Sequence, residues 1–162
     1  MNAFDPLRIL QTLQQHGVRF VIIGGIAGRL WGSTMVTNDL DICYARDREN
    51  LEALAAALRE MKAKLRGVDR DVPFVLDARS LKMGDSFTFA TNLGSLDCLG
   101  TPAGSKGYDG LARTATKMNV GGLEVAVASL EDLIQMKRAA GRPKDLIEVE
   151  VLAAVRDEIE RH

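Results

Sequence analysis

The chain is poor in the residues that carry sulfur and imidazole chemistry. It has two cysteines and two histidines, His16 and His162, in 162 residues. So few cysteines exclude a disulfide framework. A His-rich zinc centre or a Ser-His-Asp triad has almost nothing to draw on. There is no surplus of one charge either, since 21 basic and 22 acidic side chains give a formal net charge of -1. Such a balance gives no overall attraction to nucleic acid or to an anionic membrane, and leaves only a local basic cleft as a route to polyanions. No apolar run approaches the roughly 18 residues of a membrane span. Near the start, Asp5 and Pro6 stand where a signal peptide needs a basic segment and then an apolar one, so a cytoplasmic protein is expected. Aromatics make up only 5% of the chain, and Trp31 and the phenylalanines form no periodic base-stacking array. What remains for chemistry is carboxylate, lysine, arginine and backbone amide.

With 46% apolar residues, 162 positions suffice for one ordinary core and are too few for two. One domain over 1–162 is expected. From Pro6 to His16, Leu7, Leu10 and Leu13 keep helical spacing up to Gly17. Val18 to Ile23 reads as a buried strand, and Gly24-Gly25 opens a short helix to Trp31. A strand follows over Leu40 to Tyr44. Asp47 then caps a helix whose stripe Leu51, Leu54, Leu58, Met61, Leu65 runs to Gly67. Residues 68–84 read as irregular. Ser86 to Thr91 and Ser95 to Leu99 form a hairpin through Asn92-Leu93-Gly94. Gly100 to Gly110 reads as a loop, and Lys117 to Val120 pairs with Leu123 to Val127 across Gly121-Gly122. A helix capped by Ser129 ends at Gly141, and Pro143 starts the last one, with Ile147, Val151, Ala154, Val155 and Ile159 as its apolar face. The expected class is α+β: a mixed sheet packed against helices, with a C-terminal helix pair.

Most of the chemical information lies between Gly24 and Cys43. Side chains alternate along a strand, so Asp39, Asp41 and Cys43 share one face and Leu40, Ile42 and Tyr44 the other. Carboxylates two residues apart stand about 7 Å from each other. They repel, and burying both is costly without a cation between them, a place that suits Mg²⁺. A wet edge strand is the other reading of a bare Asp-x-Asp. The glycine pair Gly24-Gly25, between strand and helix, offers free N–H groups and close approach to a phosphate. Asp97 lies opposite Leu96 and Cys98 on a later strand; if that strand neighbours the first, three acids converge.

Gly24-Gly25, then Asp39-Leu40-Asp41, then a lone strand Asp97 resembles the nucleotidyltransferase fold of the DNA polymerase β superfamily. With the tail from Lys137 to Asp145, the chain resembles small stand-alone bacterial members of the abortive-infection and toxin–antitoxin type. The resemblance implies that Gly24 and Gly25 hold the triphosphate, that Asp39 and Asp41 bind Mg²⁺ in a two-metal site, and that Asp97 is third ligand and general base. It gives Lys137 to the phosphates and makes Asp145 the completion of the tail motif. Two positions depart from the pattern: Gly25 stands where relatives often have serine, and Met35 where many carry arginine, while Thr37 is kept. The phosphate grip is then weaker, or borrowed from Lys137, Arg138 or Arg142.

The tail residues also have readings of their own. Lys137 follows Leu133 by four, so its amine either meets an anion or snorkels to water. Asp145, in a first helical turn, is favoured there by the helix dipole alone. Arg138, Arg142 and Lys144 form a basic cluster, and Lys106 and Arg113 are further candidates. The expected reaction moves a nucleoside monophosphate from a triphosphate to an acceptor hydroxyl on RNA, tRNA or a small molecule. A cognate antitoxin or a second copy would help form the acceptor site. The alternatives are a catalytically silent nucleotide- or partner-binding module and an antibiotic-type small-molecule adenylyltransferase.

Overall fold

The computed structural model describes residues 3–67 and 74–162. Helix α1 (Pro6–Gln15) begins where Asp5 accepts the Arg8 N–H at 3.1 Å, and buries Ile9, Leu10 and Leu13. Strand β1 (Phe20–Ile23) is buried at every residue, as expected of a β-branched run in the middle of a sheet. Helix α2 (Gly24–Trp31) follows without a linker, and Trp31 donates its indole N–H to Ala128 O at 2.8 Å. Strand β2 is Asp39–Tyr44.

Helix α3 (Arg48–Glu60) is capped by Asp47 as its sequence signals, but it stops short of the expected end. Lys62 takes a left-handed conformation, φ 53°, and the Ala63 N–H closes on Leu58 O at 3.0 Å. Met61 still reaches the core, whereas Lys64–Leu65 leave the helix and form a short strand, β3. The stripe through Leu65 therefore joined a helix to a strand.

Two further expectations are corrected. Within 68–84, read as irregular, Ala78–Met83 form helix α4, capped by Asp77 on the Ser80 N–H at 2.8 Å and anchored by buried Leu81. The part of that reading on 68–73 lies outside the described residues. The loop Gly100 to Gly110 ends early, because helix α5 (Tyr108–Thr114) starts inside it and buries Leu111.

Strands β4 (Ser86–Thr91) and β5 (Gly94–Leu99) form the expected hairpin, as do β6 (Thr116–Val120) and β7 (Leu123–Val127). Helices α6 (Leu130–Ala140) and α7 (Pro143–Glu160) make the C-terminal pair. The buried face of α7 is not the expected one. Asp145, Glu148, Val149 and Leu152 point inward, while Ile147 and Ile159 are 57% and 48% exposed. Inward-facing acids displaced the apolar stripe because they meet Lys137 of α6.

All seven described strands form one sheet in the order β3-β4-β5-β2-β1-β7-β6. Only β2–β5 and β1–β7 are parallel. This mixed α/β arrangement is the expected class. Its centre is the β2–β5 pair, whose register sets Asp41 against Asp97 and Ile42 against Cys98. Cys43 pairs with Leu99, so the two thiols lie on opposite faces, and both are buried and free.

Burial, with a smaller contribution from Asp85, pushes the Cys43 thiol up to about 12, and burial drives Cys98 well above the ordinary range. At pH 8 on the order of one Cys43 in 10,000 is then a thiolate. Native protein should therefore take up no iodoacetamide label at pH 8, and urea-unfolded protein two labels. Unfolded protein that gains thiols only after reduction would contradict this.

Candidate active site

The alternation expected for β2 is realised in full. Leu40, Ile42 and Tyr44 are completely buried, and the half-buried carboxylates of Asp39 and Asp41 face the other way. Because β5 runs parallel beside β2, Asp97 stands next to Asp41 at about one strand spacing, roughly 4.8 Å. Register therefore brings the three acids to one patch. Burial first, then the charge and hydrogen bond of Asp97, then Asp39, push Asp41 up to about 7, with Lys137 acting the other way. Burial also raises Asp97, against the pull of the Arg66 guanidinium. Two such groups side by side cannot both be ionised cheaply.

The glycine pair is explained by close approach. Gly24 has φ +71°, and a Cβ there would run into the Asp41 carboxylate, 2.8 Å from its Cγ. Gly25 has ordinary backbone, but a Cβ would lie 2.8 Å from the Cβ of Thr37. Thr37 thus fills the room that a serine at 25 would need. Both glycine N–H groups fall in the first turn of α2, where helical geometry leaves donors without partners.

The tail forms the other wall. From α6, the Lys137 amine reaches Glu148 Oε2 at 3.1 Å and Asp145 Oδ1 at 3.6 Å on α7. Arg142 grips Asp145 with Nε to Oδ2 at 2.6 Å and Nη2 to Oδ1 at 3.2 Å, and its backbone N–H adds a third bond at 3.1 Å. The Asp145 side chain is 1% exposed. Its role here is to hold Lys137 and Arg142 in place. Glu148 went unnoticed in the sequence, although its spacing of three from Asp145 puts both on one helical face.

Arg66 was also missed. Its guanidinium lies 3.0 Å from Asp97 Oδ1 and 3.9 Å from Asp39 Oδ1. In the sequence it sat at the end of an overlong helix; only strand β3 aims it at the acids. Arg138 stays exposed, and Lys106 lines a separate hollow with Tyr44 and Arg46. Neither joins the patch. Gly25, Thr37, Asp39, Asp41, Asp97, Arg66, Lys137, Arg142 and Asp145 line one cleft of about 390 Å³.

Among the described residues, no three acidic, cysteine or histidine side chains are gathered into a ready ion cage. The donor set nevertheless fits a hard cation. All three groups are carboxylates, and the buried Asp97 Oδ1 makes no hydrogen bond even with Arg66 nearby. Asp39, Asp41 and Asp97 are the residues that would hold Mg²⁺.

No family model matches this sequence, and no curated protein does. Solved structures do share its fold. The crystal structure of the lincosamide antibiotic adenylyltransferase LnuA, lincomycin-bound, matches over 96% of this chain and 99% of that one, with TM-score 0.64 and 14% identity. The crystal structure of ANT(2'')-Ia in complex with adenylyl-2''-tobramycin matches over 95% and 96%, with TM-score 0.54 and 20% identity. The solution structure of the antibiotic-resistance factor ANT(2'')-Ia covers 96% and 89%, with TM-score 0.55 and 17% identity. The chain has the nucleotidyltransferase fold.

Two outcomes test this geometry. Gly25→Ala should cost about 1–3 kcal/mol by overpacking, and adding Thr37→Gly should recover part of that loss in urea unfolding. The second concerns pH. Arg142 holds the Asp145 carboxyl below its ordinary 3.8, first through side-chain hydrogen bonds. A depressed folded value contributes stability that is present above the unfolded value and lost as pH falls through the folded one. Asp145→Asn should thus be less stable than wild type by roughly 1–3 kcal/mol at pH 7, with the gap closing below about pH 4. A gap independent of pH would contradict it.

Proposed function

We propose that this protein transfers a nucleoside monophosphate from a nucleoside triphosphate to a hydroxyl of a small organic acceptor, releasing pyrophosphate. The observation that carries the reading is the β2–β5 register, which sets Asp41 against Asp97 with Asp39 on the same face. Gly24 and Gly25 bring the start of α2 against that patch. Their N–H groups suit phosphate oxygens, and Lys137 adds positive charge in the same cleft. Mg²⁺ held by the three carboxylates would neutralise triphosphate charge. The acceptor oxygen bonds to the α-phosphorus, the bond from that phosphorus to the pyrophosphate oxygen breaks, and the hydroxyl proton passes to a carboxylate oxygen of Asp97. Asp97 suits the role of positioned base because its carboxylate faces the same patch as Asp39 and Asp41. The rest of the catalysis is positioning of the two reactants.

A small acceptor is supported by two facts. The net charge of -1 gives no general hold on a phosphate backbone. The fold is also shared with two antibiotic-modifying proteins.

The test supplies each α-labelled triphosphate with Mg²⁺ and a panel of hydroxylated small molecules, including aminoglycosides and lincosamides. Label should enter a small molecule, and the Asp39→Asn, Asp41→Asn double variant should abolish it. Asp97→Asn should lower transfer by roughly 10²–10⁴-fold while nucleotide still binds. Transfer by Asp97→Asn at the wild-type rate would refute the role of Asp97. Label in RNA would move the acceptor, and binding without turnover would leave a silent module.

A further inference from the structure

The sheet register reaches past the three acids. Lys64 pairs with Ala90 and Leu65 with Phe89, and the Arg66 N–H continues the ladder onto Thr88 O at 2.8 Å. Thr88 in turn pairs with Asp97, and Asp97 with Asp41. Arg66, just past the end of β3, therefore stands in a row with Thr88 of β4, Asp97 of β5 and Asp41 of β2. Residues directly opposite in a sheet share a face. The row puts Arg66 two strand spacings, about 9.6 Å, from Asp97, and its long side chain spans the gap over Thr88.

The resulting ion pair is close but loosely fitted. Arg66 Nη2 is 3.0 Å from Asp97 Oδ1, yet that buried oxygen has no aligned hydrogen bond. Arg66 Nη1 is 3.9 Å from Asp39 Oδ1 and 3.4 Å from Phe89 O. Arg142 shows what a locked guanidinium looks like in this chain, with two aligned bonds to one carboxylate at 2.6 and 3.2 Å. Arg66 has the charge of a partner without the fork geometry of a permanent one.

We propose that Arg66 is a triphosphate-binding residue, parked on Asp97 and Asp39 until a divalent cation displaces it. The inference rests on the reading of those carboxylates as the cation site. A cation at the same oxygens repels the guanidinium, so the two compete. Once released, the guanidinium remains at the cleft lined also by Gly25 and Lys137. The carboxylates Asp145 and Glu148 there are already paired with Lys137 and Arg142, which leaves an incoming triphosphate as its anion. Its planar fork matches phosphate oxygens two at a time.

Competition and grip change affinity in opposite directions, and that sign split is the test. Mn²⁺ alone, and separately a preformed Mn²⁺–tripolyphosphate complex, would be titrated calorimetrically into wild type and Arg66→Gln, with no base preference to assume. Arg66→Gln should bind Mn²⁺ alone roughly threefold to tenfold more tightly, because its competitor is gone. It should bind the complex roughly tenfold more weakly. Arg66→Lys, which keeps the charge and loses the fork, should restore wild-type Mn²⁺ affinity but only part of the affinity for the complex. If Arg66→Gln weakens both ligands, Arg66 is structural. If it tightens both, Arg66 is a counter-ion without a phosphate role. No change in either makes it a bystander, and each of these results overturns the proposal. The Asp39→Asn, Asp41→Asn variant separates the underlying reading. Unaltered binding of both ligands there would sink the carboxylate site itself, and Arg66 with it.

Discussion

Placing Asp41 and Asp97 at the same register on neighbouring parallel strands forces two carboxylates together on a partly buried face. Such an arrangement is unfavourable on its own, since burial and like charge both penalise ionisation. The surroundings read as responses to it. Burial and the neighbouring Asp97 push Asp41 up to about 7, and Arg66 leans in from the sheet edge. Gly24 is bare of a side chain so that the chain can pass against the Asp41 carboxylate. A fold stabilised only by its core would gain nothing from these features. They fit a surface arranged for charge that arrives from outside.

The C-terminal helix pair meets the same constraint with the opposite sign. Lys137 points into the cleft because Asp145 and Glu148 hold its amine, and Asp145 is fixed by the fork of Arg142. The buried face of α7 begins with two acids before it turns apolar at Val149 and Leu152. Glu148 and Leu152 of α7 pack against α2 at Gly28, which ties the first glycine-bearing helix to the tail. Strand register and helix packing thus bring carboxylates and a lysine to one cleft from opposite ends of the chain.

Much of this was legible in the sequence. Period-two alternation in Asp39-Leu40-Asp41-Ile42 assigned faces correctly, because a strand in the sheet centre has one packed side to satisfy. The glycine pair, the Ser86–Leu99 hairpin and the caps at Asp47 and Ser129 carry local chemistry that tertiary context did not override. What failed was decided by distant partners. Leu65 fits a helical stripe and a strand equally well, and only pairing with Phe89 on β4 selects the strand. That ambiguity hid Arg66. The face of α7 was misread for a similar reason: Ile147, Val151 and Ile159 make a plausible apolar stripe until Lys137 is known to face Asp145 and Glu148. Short helices such as Ala78–Met83 rest on a single buried leucine, too little periodicity to stand out.

On the reading proposed above, the acids of β2 and β5 are a cation seat from which Arg66 is displaced. The most direct measurement is a crystal structure with Mn²⁺ and a triphosphate, with the ion located by its anomalous scattering. The strongest peak should lie at coordination distance, about 2.2 Å, from carboxylate oxygens of Asp39 and Asp41, with the Arg66 guanidinium on phosphate oxygens instead of on Asp97. A peak elsewhere in the chain, or an ion at the acids with Arg66 still paired to Asp97, would contradict it.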